Sequence, residues 1–142
     1  GAGLYGQHGM PAYSTAKAGV IGLAQSLHLE SSKKNLNINV ISPFANTNMT
    51  KDFMNDNQAK KFSVDMVVPL VSFLLHTQDV SGNIFIAGAG KFKVAKMFEN
   101  EGINLSNLQN ISEKDISNEI KDLLDLSSLT PRNNASESFD AL

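Results

Sequence analysis

The chain has 142 residues and a formal net charge of −2, from 12 Lys+Arg against 14 Asp+Glu. That length accommodates one domain with a real core, and 42% hydrophobic against 18% charged residues argues against wholesale disorder. The balanced charge supplies no basic field for nucleic acid or an anionic membrane, the absence of Cys removes disulfides, thiolate nucleophiles and Cys-ligated zinc, and no apolar run approaches the roughly 20 residues that span a bilayer.

Residues 1 to 11 read as a loop, punctuated by glycines at 1, 3, 6 and 9 and by Pro11. The stretch opens on Gly rather than Met, which suggests a piece of something longer. No signal peptide is visible. From Ala12 to Ser31 the spacing of Val20, Leu23, Ala24 and Leu27 predicts a helix, with Pro11 suited to its first turn. Gly19 and Gly22 interrupt it at a cost of roughly 1 kcal/mol each, so close packing against another helix or a cofactor is expected there.

Ile38-Asn39-Val40-Ile41 is short and β-branched, ends at Ser42-Pro43 and predicts a strand. A polar loop over 44–50 and a weakly patterned helix over 51–61 follow. Ser63 is placed to cap a helix from Val64 to His76, with Met66, Val67, Leu70, Val71 and Leu74 on its inner face. Asp79-Val80-Ser81-Gly82 is a turn, and Ile84-Phe85-Ile86 a buried strand stopped by Gly88-Ala89-Gly90. This order is an α/β pattern with a parallel sheet. Two parallel strands alone leave long unpaired edges, so the pattern reads as part of a larger sheet.

Beyond Lys96, Asn and Ser become dense. Ser112-Glu113-Lys114-Asp115 is a capping signal, and Ile116, Ile120, Leu123 and Leu124 form an apolar stripe on a helix ending near Leu126. Residues 127–142 read as a mobile, polar terminus.

Two motifs invite chemistry. Gly1-Ala2-Gly3-Leu4-Tyr5-Gly6 matches GxGxxG, but no strand precedes it and Gly9 and Pro11 follow, so it is a decoy for a dinucleotide loop. Tyr13-Ser14-Thr15-Ala16-Lys17 puts a phenol and an ammonium on one helix face. A nearby ammonium favours a phenolate, which could then exchange a proton with an alcohol or carbonyl oxygen. The bland alternative is a surface Tyr and Lys that happen to be four apart. Ala16, Ala18 and Gly19 leave room for a cofactor beside that turn. The loop after the first strand offers Thr47 to a cofactor amide, or as a helix cap for which Thr50 is the better candidate. His8, His28 and His76 are far apart with no carboxylate at ligand spacing, so no metal site is expected. His8, in the loop before Tyr13, could border a substrate pocket.

Together these residues resemble the short-chain dehydrogenase/reductase family. The resemblance is carried by Tyr13-x-x-x-Lys17, the strand Asn39-Val40-Ile41-Ser42-Pro43, the loop Thr47-Asn48-Met49-Thr50 and the stretch Gly82 to Gly90. Gly3-Leu4-Tyr5-Gly6 with Ala12-Tyr13-Ser14, Ala87-Gly88-Ala89-Gly90 and Asp125-Leu126-Ser127-Ser128 are similar to a peroxisomal branch that oxidises 3-hydroxyacyl-CoA. The resemblance implies the C-terminal half of a Rossmann-type doubly wound parallel sheet over residues 1–98, then a helical extension and polar tail over 99–142.

It further implies NAD, with NADP not excluded, and an acyl-CoA substrate oxidised to the 3-ketoacyl-CoA. Tyr13 would be the general base, Lys17 would lower the pKa of that phenol and hold the nicotinamide ribose, and Ala45, Asn46, Thr47 and Asn48 would line the nicotinamide side. Phe44 stands where many members carry Gly, and the loop is one residue shorter than the commonest form. The family's catalytic Ser, glycine-rich loop, nucleotide-selecting residue and structural Asn have no counterpart here, so residues 1–142 alone are expected to be inactive. A non-catalytic remnant or packing module, and an NADPH-dependent 3-ketoacyl reductase, are the rival expectations. A homodimer through the Tyr/Lys helix, at Ala18, Gly19 and Gly22, is implied for the intact parent. So is a peroxisomal location, with the cytoplasm as alternative because Asp140-Ala141-Leu142 is not a peroxisomal address.

Overall fold

The computed structural model describes residues 1–31, 33–106 and 109–142, with the backbone alone at Phe53. It comprises two compact units, Gly1–Ala95 and Lys96–Leu142.

The glycine-rich opening is not all loop. It holds a one-turn helix, α1 (Ala2–Tyr5), closed by bonds from the Leu4 and Tyr5 amides to the Gly1 carbonyl at 2.9 and 3.0 Å. Glycine has poor helix propensity, so packing against the next helix decides this turn. That helix is α2 (Pro11–Ser31), starting at a proline whose missing N–H costs nothing in a first turn. Ile21 and Ser31 are its buried residues, while Leu23 stays 59% exposed. A side chain grown from Gly19 or Gly22 would meet nothing within 4 Å. The close packing expected at these glycines is therefore not made within the described residues.

The first strand, β1 (Val40–Pro43), starts two residues later than its β-branched run. Ile38 and Asn39 are taken up by the turn ahead of the next strand: the Ile38 amide donates to Ser81 Oγ at 2.9 Å and Asn39 Nδ2 to the Val80 carbonyl at 2.7 Å. The region 51–61 divides into a 3-10 turn, Lys51–Phe53, and a helix, α3 (Asp56–Lys61). Asn55 and Gln58 cap α3 reciprocally, each side chain accepting from the other's amide, at 2.9 and 3.1 Å.

Ser63 accepts from the Asp65 amide as expected of a cap, but the single helix expected from Val64 is broken. A 3-10 turn (Val64–Met66) precedes α4 (Val68–His76), because Pro69 in the first turn has no N–H to continue the earlier spiral. Of the expected inner face, Val67 is buried, Leu70 and Leu74 are half-buried, and Met66 and Val71 are exposed.

The second strand, β2 (Ile84–Gly88), runs two residues past its apolar core and turns back as β3 (Lys91–Ala95). The sheet order is β1-β2-β3. β1 and β2 are parallel, with Val40 opposite Ile84 and Pro43 opposite Ala87. β2 and β3 are antiparallel, with Gly88 opposite Lys91 and Ile84 opposite Ala95. The connecting pair, Ala89 and Gly90, has φ of 52° and 71°, the left-handed pair a two-residue hairpin needs. The antiparallel third strand corrects the expectation of two strands, while the α/β class with a parallel βαβ crossover stands as predicted.

In the second unit, β4 (Phe98–Asn100) pairs antiparallel with β5 (Leu129–Pro131), Glu99 opposite Thr130. Between them the expected single helix is two: α5 (Glu113–Asn118) and α6 (Ile120–Leu123). The residues expected to form a free terminus instead supply β5 and α7 (Ala135–Phe139). Asn134 caps α7, its Oδ1 accepting from the Glu137 amide at 2.9 Å. Glu99 fastens the segment: Arg132 Nε donates to one carboxylate oxygen at 2.7 Å and Ser138 Oγ to the other at 2.5 Å.

Among the described residues, the buried apolar ones are Ile21, Val67, Ile84 and Ala87. The accessible surface is 10904 Å². Two separate compact globules of these sizes would expose roughly 8,500 Å². Large apolar side chains stand on this surface, among them Val20, Leu23, Phe73, Leu75, Phe92 and Val94, more than scattered single exposures.

Candidate functional site

Tyr13 and Lys17 lie one turn apart near the start of α2. The Lys17 ammonium stands over the Tyr13 ring, 5.4 Å from its centroid, a contact worth about 0.5–1 kcal/mol at an exposed position. The Tyr13 side chain is 45% exposed, so the phenol is open to an incoming molecule. Helical spacing thus brings the two together on one side, with the ammonium over the ring face. Thr15 Oγ1 donates back to the Pro11 carbonyl at 2.9 Å and is a structural neighbour of the pair.

The glycine-rich opening connects this turn to β1. A Cβ at Gly3 would sit 2.5 Å from the Lys17 carbonyl carbon and 2.7 Å from the Ala18 nitrogen. Only glycine allows that approach. Two residues earlier, the Gly1 nitrogen donates to Ser42 Oγ, and a Cβ at Gly1 would meet the Phe44 ring at 3.0 Å. One short segment therefore touches the Tyr/Lys turn at one end and the carboxyl end of β1 at the other. The GxGxxG pattern is used for this helix contact, in a helix of four residues.

The loop after β1 lies where open α/β sheets bind ligands, at the carboxyl end of a parallel strand. The Phe44 amide donates to the Ala87 carbonyl and the Asn46 amide to the Phe62 carbonyl, both at 2.7 Å. Thr50 is its hub. Thr50 Oγ1 donates to the Ala45 carbonyl at 2.7 Å, accepts from the Thr47 amide at 2.9 Å and lies 3.2 Å from Thr47 Oγ1. Thr50 occupies the position before Lys51–Phe53 without a side-chain capping bond, so its hydroxyl holds the loop rather than capping. Ala45 and Asn46 are half-buried, and Thr47 and Asn48 exposed. Asn46 Oδ1 is buried with no hydrogen-bond partner among the described residues, as is Ser14 Oγ beside Tyr13.

The histidines are dispersed. His28 Nδ1 pairs with Ser81 Oγ at 2.8 Å, and its ring lies where a Gly82 side chain would go. His76 Nδ1 pairs with the Ser72 carbonyl at 2.7 Å. His8 is exposed in the turn before α2. No group of metal-binding side chains occurs among the described residues.

Sequence reasoning missed two features. The sequence suggests Thr50 only as a cap. A cavity at the ends of β1 and β2 was not anticipated, because it depends on the hairpin that adds β3. Its signal was the alternation Lys91-Phe92-Lys93-Val94, which puts two lysines on one face of a strand.

Residues 1–58 match the family model described as short chain dehydrogenase. The peroxisomal hydratase-dehydrogenase-epimerase of Saccharomyces cerevisiae is 38% identical over 92 residues, 64% of this chain and 10% of that protein. The peroxisomal multifunctional enzyme type 2 of Mus musculus is 36% identical over 89 residues, 62% of this chain and 12% of that protein. The solved structure of full-length peroxisomal multifunctional enzyme type 2 from Drosophila melanogaster superposes with a TM-score of 0.85 at 23% identity, over 98% of this chain and 26% of that one. The chain thus spans a small part of the length of each, and the last comparison shows the shared fold.

Proposed function

The chain belongs to the short-chain dehydrogenase/reductase family, and from that premise we propose that it works within a longer NAD(P)-dependent oxidoreductase that converts a 3-hydroxyacyl-CoA to the 3-ketoacyl-CoA. The observation that carries this is the Tyr13–Lys17 pair, ammonium 5.4 Å from the ring centroid, tied through α1 to the loop at the end of β1.

The residues fit a nicotinamide nucleotide on one observation. Asn46 Oδ1 is a buried acceptor without a partner among the described residues, placed to receive what a carboxamide NH2 donates. Ala45, Asn46, Thr47 and Asn48 would line the nicotinamide side and Lys17 would hold the ribose. NAD is the proposed nucleotide, NAD(P) the family's general one. The chemistry supplied by the bound nicotinamide is acceptance of a hydride from the carbinol carbon. Tyr13 Oη takes the hydroxyl proton of the substrate as that carbon becomes a carbonyl. The Lys17 ammonium beside the Tyr13 ring stabilises negative charge on the phenol oxygen. Thr50 holds the loop in shape while it contributes no atom to the reaction.

Residues 1–142 alone are proposed to be inactive, and the intact protein to dimerise through α2, whose Val20, Leu23 and Leu27 are exposed. The named relatives support a peroxisomal location. The test is turnover of a 3-hydroxyacyl-CoA by the intact protein, followed as nicotinamide reduction. Tyr13→Phe should lower kcat by roughly 10²–10⁴-fold with little change in KM. A Phe variant as fast as the parent would sink the assignment. Strict dependence on NADPH with the keto ester would reverse the proposed direction.

A further inference from the structure

The cavity at the carboxyl ends of β1 and β2 takes no part in the proton and hydride chemistry. It holds about 350 Å³ and is lined by Phe44, Lys61, Phe62, Ile86, Lys91 and Lys93. We propose that it binds the phosphorylated adenosine end of the coenzyme A thioester, a proposal that rests on the acyl-CoA reading above.

Three observations converge. The first is charge. The chain as a whole is at −2, yet three lysines from two elements, the end of α3 and the length of β3, border this one cavity. The ion pair found among the described residues joins Arg132 to Glu99, so among them no carboxylate pairs with the three lysines. Lysines on a solvated face are ordinarily interspersed with acids, and three unpaired ones around a hollow form a site for a polyanion.

The second is the wall. Phe44 and Phe62 give the cavity two aromatic side chains, and Ile86 an aliphatic one. A flat heteroaromatic ring stacks on such side chains, and inorganic phosphate gains nothing from them. The pairing of a π-face with several phosphate charges is the chemistry of a nucleotide carrying extra phosphates.

The third is the backbone. Gly88 lies at the turn into β3, and a Cβ there would come 2.7 Å from the Phe44 carbonyl oxygen and 3.4 Å from the Phe62 ring. The bare main chain lets both aromatic residues close over the strand end. Lys91 and Lys93 stand opposite Gly88 and Ile86 in the ladder and project from the same face. Phe44 also joins the cavity to the reaction site, since its ring touches Gly1, two residues from the Gly3–Lys17 contact.

The test is calorimetric binding of free coenzyme A to the intact protein, with no turnover needed. Coenzyme A should bind, dephospho-coenzyme A should bind several-fold more weakly, and pantetheine should not bind measurably. Lys91→Gln with Lys93→Gln should weaken coenzyme A at least tenfold, and Lys93→Arg should retain most of the affinity. Lys121→Gln, in the other unit, should leave it unchanged. Should the double variant fail to fold, a salt titration of the unaltered protein decides: affinity falling severalfold from 50 to 200 mM salt supports the lysine site, and constant affinity overturns it. Equal binding of coenzyme A and pantetheine, or full affinity in a folded double variant, also overturns it. Adenosine 2′,5′-bisphosphate competing as well as coenzyme A would assign the cavity to NADP and overturn the proposal. Coenzyme A binding without dehydrogenase turnover removes the functional reading and leaves the cavity. Turnover with a KM indifferent to the lysines does the reverse.

Discussion

Gly3 lies directly on the main chain of Lys17, so close that a Cβ would stand 2.5 Å from its carbonyl carbon. The position of the ammonium-bearing turn is therefore fixed by a residue with no functional group. Gly3→Ala should push α1 off α2 and cost roughly 1–3 kcal/mol of stability, as overpacking does. Thermal unfolding measures the loss. Activity of the intact protein should fall with it, whereas Gly6→Ala, where no atom lies within 4 Å, should act only through its φ of 72°.

Lys17→Met keeps length and ring contact and removes the charge. Turnover should drop by roughly 10²-fold or more with helix content by circular dichroism unchanged. Lys17→Arg should recover part of it. A Met variant at full speed would show that the ammonium is only a neighbour of Tyr13.

Thr50→Val is close to isosteric and removes the bond to the Ala45 carbonyl and the acceptor for the Thr47 amide. The loss should be about 1–2 kcal/mol. Because Ala45 to Asn48 lie inside the loop this hydroxyl closes, the KM for the nucleotide should rise more than kcat falls.

Ala89 holds φ at 52° without being glycine, in a turn that favours Asn at this position. Ala89→Asn should stabilise the hairpin by about 0.5–1 kcal/mol, read as a higher midpoint in urea.

Hydrogen bonds from Ser138 and then from Arg132 hold the Glu99 carboxyl below its ordinary range. Asp115 and Asp125 are lowered in the same way by Ser112 and Ser127. A carboxylate with a folded pKa below its unfolded one stabilises the fold above the unfolded value, near 4.3 for Glu, and loses that contribution as pH falls through the folded value. The β4–β5 pair and α7 should loosen on acidification below about pH 4, seen as faster amide exchange at Thr130 and Glu137. Glu99→Gln should abolish most of that acid dependence.

How much was legible follows the range of the interactions. The long helix was readable because Val20, Leu23 and Leu27 repeat locally and Pro11 marks its start. The Tyr13–Lys17 face followed from helical spacing alone. The split at Pro69 is also local, but the apolar spacing runs unbroken across it and masks it. β1 was displaced because Ile38 and Asn39 are claimed by Ser81 and Val80, more than forty positions away. The hairpin was hidden because Ala-Gly is a weak turn signal beside Asn-Gly. The terminal segment looked mobile because its Ser and Asn are polar, whereas Asn134 caps a helix and Ser138 fastens Glu99. The bridge from Gly1 to Ser42 and Phe44 has no signature in spacing.

The uncovered apolar surface has a thermodynamic consequence. With so few side chains sealed from water, these 142 residues bury little apolar surface of their own against the entropy of ordering the chain. Their melting temperature should then depend on concentration and on any chain that covers the exposed faces. It should climb with dilution reversed, or with a covering chain supplied in trans, by more than any single substitution named above can move it.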